Sequence, residues 1–323
     1  MVAPTSETWI TGIVILAAVA GAIALLELGL RSLGFGKPLT YITDPQIGYL
    51  LSPNQTTCRF GNPIAINQYS MRSPEISLTR PENTLRILLI GDSIANGGWW
   101  TDQRQTISAL LQQQLEHDIK EHDIKEFERV EVLNASANSW SPRNELAYLQ
   151  RFGTFEAQVI VQLINTDDLF GIAPYSLVVG HDRNYPDRRP PFAIAEAVSR
   201  YLIPTADIPE LDELWKQEGD RVGENLAAIE QVRAIAVQHN AQLLLAITPL
   251  LREVGGSRAY EQKARQRFTR FVEQQQMPFI DFLPLFQAFE DPQTLYRDSI
   301  HLNQTGNLQI VERLREKIEE ILP

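Results

Sequence analysis

From Arg86 onward the chain alternates short apolar runs with longer segments whose apolar residues recur at helical spacing, and this alternation limits the fold more than any other feature. "RILLIG" is a buried-strand run and "QTISALLQQQLEHDI" has helical spacing. "RVEVLNAS" reads as a strand, "PRNELAYLQRF" as a helix with proline at its start, and "AQVIVQLI" as a strand. Further on come a helix in "RVGENLAAIEQVRAIAVQHN", a strand in "QLLLAITP", a helix in "SRAYEQKARQRFTRFVEQQ", a short strand in "MPFIDF" and a closing helix in "NQTGNLQIVERLREKIEEIL". Strands separated by helix-length segments predict a parallel sheet covered on both faces. The functional groups of such a fold gather outside the carboxyl ends of the strands.

Two stretches precede this region. From Ile10 to Leu30, "ITGIVILAAVAGAIALLELGL" is as long as the roughly 20 apolar residues that span a bilayer, with Trp9 and Arg31 placed as interface anchors. Glu27 lies near its end, where it can pair with Arg31 at i,i+4. A signal peptide is the competing reading, but no Lys or Arg precedes Trp9 and the apolar run is longer than the usual signal core. Arg31 and Lys37 follow the run and only Glu7 is charged ahead of it, a bias too small to fix the side of the membrane. The segment from Tyr41 to Asn83 carries Pro45, Pro53, Pro63, Pro74 and Pro81, which leave room for short strands and turns, and reads as a collar. The expected organisation is a membrane anchor at 1–34, an irregular collar at 35–83 and one large domain at 84–323. A candidate lid loop occupies 171–204, beginning with the irregular "GIAPYSLVVGHDRNYPDRRPPF". Its Arg183, Arg188 and Arg189 read as solvated.

Composition excludes several classes. With 323 residues, 44% of them hydrophobic and 21% charged, the chain can bury a sizeable core. A net charge of −11 without any basic cluster argues against a nucleic-acid partner. The single cysteine, Cys58, excludes an internal disulfide and is expected to be at least half buried. "EHDIKEHDIK", Glu116 to Lys125, is a tandem pentapeptide that fits neither helix nor strand periodicity; we read it as a local duplication lengthening a helix end or loop. Its His117 and His122 have no third ligand type beside them, and neither a metal nor an organic cofactor is implied.

Ser93 follows the strand "RILLIG" and precedes a helix, so its hydroxyl emerges at the carboxyl end of a parallel strand. A serine there is either a nucleophile or the start of a turn that Asp92 caps. A nucleophile needs a base and a group to orient it. Of the five histidines, only His301 in "YRDSIHLNQTGN" has a carboxylate set for this, Asp298, at a spacing that can bring both onto one turn at the start of the last helix.

The pairing of "GDS" after the first sheet strand with "DSIH" before the last helix resembles the SGNH hydrolases, also called the GDSL esterase family. The segments "DPQIGYLLSPN" and "INQYSMRSPE" and the apolar helix resemble its membrane-anchored bacterial subgroup. The resemblance implies a flavodoxin-like three-layer α/β/α sandwich with a parallel sheet, preceded by one N-terminal transmembrane helix, and no cofactor. It also implies that Ser93 is the nucleophile, His301 the base and Asp298 the orienting acid. The oxyanion hole falls on Ser93, on Ser139 in "NASANSWSP" where the family has glycine, and on Asp167 in "NTDD" where the family has asparagine. A backbone donor survives the first change, but an ionised carboxylate cannot donate to an oxyanion. Either Asp167 is protonated, or Thr166, Asn165 or Asn138 supplies the donor, or the site is slow or idle. Trp99 and Trp100 read as half-buried packing residues; Trp99, with Asn138 and Thr166, is also a candidate pocket residue.

The leading expectation is a serine esterase that cleaves small acyl esters, such as O-acetyl groups on carbohydrate, through an acyl-enzyme on Ser93. The domain is expected to be tethered to the membrane and extracytoplasmic. Acyl transfer to an envelope polysaccharide and a non-catalytic glycan- or partner-binding module are the alternatives. A nucleotide-binding flavodoxin-like domain is disfavoured, since "GDSIANGG" has no lysine to meet phosphate.

Overall fold

The computed structural model describes residues 6–121 and 127–322. Helix α1 (Ser6–Ser32) opens the chain, followed by two antiparallel hairpins, β1 (Tyr41–Asp44) with β2 (Gly48–Leu51) and β3 (Gln55–Arg59) with β4 (Asn62–Ile66). Then come β5 (Thr84–Gly91), α2 (Ser93–Asn96), α3 (Ile107–Glu121), β6 (Arg129–Ser136), α4 (Pro142–Phe152) and β7 (Val159–Asn165). The chain continues through α5 (Ala193–Tyr201), α6 (Pro209–Lys216), α7 (Arg221–Gln238), β8 (Gln242–Thr248), α8 (Leu251–Gly256) and α9 (Ala259–Gln274). It closes with β9 (Phe279–Asp281), α10 (Phe282–Gln287) and α11 (Gln304–Ile321).

Five parallel strands form the central sheet in the order β6-β5-β7-β8-β9. Successive residues of β5 point to opposite faces, as strand geometry requires. Leu88 and Ile90 join a core shared with Tyr148 and Leu149 of α4, Ile229 and Val232 of α7, and Phe268 and Val272 of α9. Ile87 and Leu89 join a second core with Leu111 and Leu115 of α3 and Ile310, Leu314 and Ile318 of α11. The sheet is thus the middle layer of an α/β/α sandwich. From β5 the chain steps to β6 on one side and then crosses to β7 on the other, which opens a crevice at the carboxyl ends of these strands.

The hairpin segment is built into the first core: Tyr41, Ile47, Tyr49, Leu50, Ile64 and Met71 are all buried there. Cys58, expected to be at least half buried, is exposed on β3, because its neighbour Arg59 takes the inward position. The first copy of the pentapeptide ends α3; His122 and the rest of the second copy lie outside the described residues. Arg183 is not simply solvated: it is half-buried and donates to the carbonyls of Arg200 and Ile203 at the end of α5.

Over Trp9–Ser32, α1 has a mean hydropathy of 2.5 and is exposed along most of its length, with Glu27 and Leu30 half-buried near its end, a length and composition that would cross a bilayer. Glu27 and Arg31 pair at 2.7 Å, as their spacing predicts.

Candidate active site

Three strand ends supply the site. Gly91 ends β5 so close to β7 that a Cβ there would lie 2.4 Å from the Leu163 carbonyl oxygen, so only glycine fits before the turn. Asp92 then caps α2, its Oδ1 accepting the Ile94 N–H at 2.8 Å, and Ser93 becomes the first helical residue with its side chain facing the crevice. Asp92 Oδ2 accepts from Asn165 Nδ2 at 2.8 Å, tying the end of β5 to the end of β7.

Asp298 and His301 come from the turn before α11. The sequence places them at the start of that helix; in the structure Asn303 caps it and the pair lies just outside, because Asp298 Oδ1 accepts the N–H groups of Ile300 and His301 at 2.9 and 2.8 Å and closes its own turn. The imidazole spans the gap to Ser93. Its Nδ1 is 2.9 Å from Asp298 Oδ2 and its Nε2 is 2.9 Å from Ser93 Oγ. A carboxylate can only accept, so Nδ1 carries the proton and Nε2 accepts the Ser93 hydroxyl. Trp100 packs edge-on against the ring at 4.8 Å, and the Arg297 guanidinium covers Trp100 at 4.3 Å.

The acids around Ser93 sit in opposite electrostatic settings. Burial would raise the Asp298 carboxyl, but the N–H groups of His301 and Ile300 and the His301 ring outweigh it and hold the carboxyl below its ordinary value. Burial pushes the Asp92 carboxyl up, with only partial compensation from the Ile94 N–H, His301 and Asn165. Behind it, burial and then the neighbouring Asp92 push Asp168 well up, and burial raises Glu145 to about 8.

Ser139 has φ +57°, in the left-handed region that favours glycine. Holding a serine there costs about 1 kcal/mol. Its loop is braced by the Tyr49 hydroxyl, which donates to the Asn138 carbonyl at 2.6 Å, and by the Tyr185 hydroxyl, which donates to Ser139 Oγ at 2.9 Å. Asn138, Ser139, Trp99 and Asp167 all line a cleft of about 540 Å³ together with Ser93 and His301. Thr166 does not belong to it: fully buried, its hydroxyl accepts from Arg265 at 2.7 Å on the other side of the β7 end. The Asn165 side chain is committed to Asp92 and to the Asp167 N–H. Asp167 itself turns its carboxylate to the Arg252 guanidinium, 3.2 Å away.

Two positioning residues were not read from the sequence. Buried Arg72 donates to the carbonyls of Asn96, Gly98 and Thr101 and fixes the loop that follows Ser93. A lone arginine in the breaker-rich "INQYSMRSPE" was the available signal. Arg252 gave none, since its partner Asp167 lies far away in sequence.

A family model described as the GDSL-like lipase/acylhydrolase family matches residues 89–308, more than half of the chain. The crystal structure of TesA is 16% identical, with 73% of this chain and 99% of that one covered, at a TM-score of 0.47. Axe2, an acetylxylan esterase from Geobacillus stearothermophilus, is 14% identical, with 75% and 96% covered, at a TM-score of 0.47. LAE5, an alpha/beta hydrolase enzyme from the metagenome of Lake Arreo, Spain, is 16% identical, with 74% and 96% covered, at a TM-score of 0.46. No curated protein matches the sequence. With the parallel sheet and the span of the family match established, the chain belongs to the GDSL-like lipase/acylhydrolase, or SGNH hydrolase, family and is a hydrolase of ester bonds.

Proposed function

We propose that the protein is a membrane-tethered serine esterase that removes small acyl groups, such as acetyl esters of carbohydrate, through an acyl-enzyme on Ser93. The observation that carries this reading is the hydrogen-bonded relay Asp298–His301–Ser93, with both links at 2.9 Å, opening onto the cleft. His301 Nε2 takes the Ser93 proton as Oγ attacks the ester carbonyl, and Asp298 stabilises the imidazolium that forms. The Ser93 and Ser139 N–H groups are the oxyanion donors. The tetrahedral intermediate collapses, the imidazolium gives its proton to the leaving alcohol, and water activated by His301 releases the acid.

Asp167 adds no donor, and its pairing with Arg252 offsets its charge; beside the two backbone donors the Asn138 amide, which also lines the cleft, is the side chain able to donate. The cleft volume suits a small acyl group with part of its alcohol, and Trp99, 38% exposed at the cleft, offers a flat face for a sugar ring. In this reading α1 is a single membrane span and the domain is extracytoplasmic, as the resemblance to envelope-tethered members implies.

The test is p-nitrophenyl acetate hydrolysis by the full chain in detergent. Ser93→Ala should lower turnover by about 10⁴-fold or more. Equal turnover by the two proteins would refute the role of Ser93.

A further inference from the structure

Helix α5 is built inside out. Its inward face carries Ala193 and the charged Glu196, which is 5% exposed. Glu196 accepts the Gly36 N–H at 2.6 Å and pairs with Arg59 at 2.9 Å and Arg200 at 3.4 Å. Its outward face carries Ala195, Val198 and Ser199, and the residues that cap it at either end, Phe192 and Leu202, are exposed as well. Phe192 is 61% exposed and Leu202 75%, and Ile203 beside it is exposed as well. A surface helix in water turns its charge outward and its apolar stripe inward. The opposite arrangement belongs where the outer medium is hydrocarbon.

The neighbouring helix supplies that medium. Both oxygens of Glu27 in α1 accept the first N–H groups of α5, from Ala193 at 2.8 Å and Ile194 at 3.0 Å, and Arg31 donates to the Pro191 carbonyl at 3.0 Å. Glu27 lies five residues before the end of α1, which is about 7 Å along the helix axis. The start of α5 is therefore level with the last turns of an apolar helix, not beyond them. The inward face of α5 meets the cleft, whose lining includes Glu196, Arg200, Arg59 and Lys37. From there an aromatic path runs to the base: Phe35 against Phe60 at 5.8 Å, Phe60 against Trp99 at 5.5 Å, Trp99 against Trp100 at 5.6 Å, and Trp100 against His301.

We infer that α5 is seated in the same bilayer interface as the carboxyl end of α1, so that the cleft opens at the membrane surface and takes its ester from amphiphilic, lipid-linked molecules there. The inference rests on the reading of α1 as a membrane span and of the cleft as an esterase site. It narrows the substrate class to esters held at the interface.

The experiment uses the full chain with Cys58→Ser, reconstituted in vesicles of phosphatidylcholine and phosphatidylglycerol containing brominated lipid. A fluorophore is attached to single cysteines at Val198→Cys, Leu202→Cys, Leu28→Cys in α1, and Val237→Cys, an exposed apolar position on α7. We expect loss of emission at positions 198 and 202 comparable to that at 28, and none at 237. Quenching at 28 but not at 198 and 202 overturns the seating of α5 and leaves the anchor standing. No quenching at any position removes the anchor, and the inference with it. In a second arm, Val198→Glu with Leu202→Glu should raise KM for a vesicle-embedded long-chain p-nitrophenyl ester by about tenfold or more, as expected when charge is placed in an interfacial apolar face, and leave kcat/KM for soluble p-nitrophenyl acetate unchanged. An equal effect on both esters, or no effect on either, overturns interfacial supply. Absence of turnover on both esters by the unsubstituted chain refutes the esterase reading and with it the supply of ester, while the quenching pattern still decides the place of α5.

Discussion

Asp92 and Asp298 both lie within one residue's reach of the Ser93–His301 hydrogen bond, yet they are held in opposite ways. Asp92 is buried at the end of β5 and locked by the Ile94 N–H and the Asn165 amide, so its acidity is suppressed. Asp298 has a half-exposed side chain in a short turn and is kept ionised by the N–H groups of its own loop and by His301. The difference separates scaffold from chemistry: a carboxylate that must stabilise a transient imidazolium needs to be ionised, whereas one that joins two strand ends needs only to accept hydrogen bonds.

The largest effect should come from Asp298→Ala, with kcat for p-nitrophenyl acetate down about 10³–10⁴-fold and unfolding free energy in urea changed by less than about 1 kcal/mol. A variant of unchanged activity would show that His301 needs no orienting acid. Asp92→Ala should do the reverse in kind, costing about 2–3 kcal/mol of stability in the same titration because the Ile94 N–H and the Asn165 amide lose their acceptor. If it unfolds at the same urea concentration as the unsubstituted chain, the scaffold assignment fails.

Next in size, Asp167→Asn should raise kcat about 10- to 100-fold, less than the 10²–10³ that one fully placed oxyanion donor is worth. A fall in kcat instead would mean that the ion pair with Arg252 is itself needed. The smallest effect concerns Glu145, whose carboxyl is raised by burial to about 8 from an ordinary 4.5. The stability this acid contributes is fully present below about 4.5 and is lost as pH rises through about 8. Glu145→Gln should therefore flatten the decline in Tm between about pH 4.5 and pH 8. A decline equal to that of the unsubstituted chain would place the titration elsewhere.

Much of this was legible in the sequence because it is local. "RVEVLNAS" and "PRNELAYLQRF" coincide with β6 and α4, since each carries its own periodicity and, for the helix, its own proline start. Ser93, Asp298 and His301 are marked in the sequence by the pairing of a strand-end motif with a turn motif, each a few residues long, and the structure brings the three within hydrogen-bond distance. What was not legible depends on distant partners. Thr166 faces Arg265 rather than the cleft, Cys58 is exposed because Arg59 turns inward to Glu196, and Asp167 is turned by Arg252. The segment 171–204 reads as an irregular candidate lid, and α5 within it, with the side that meets the core, is visible only in the structure.

The most direct test of the account is fluorophosphonate labelling of the full folded chain, with the modified residue located by peptide mass mapping. One adduct is expected, on Ser93, with labelling abolished by Ser93→Ala and strongly slowed by His301→Ala. A folded chain that stays unlabelled, or one labelled at a different residue, would contradict it.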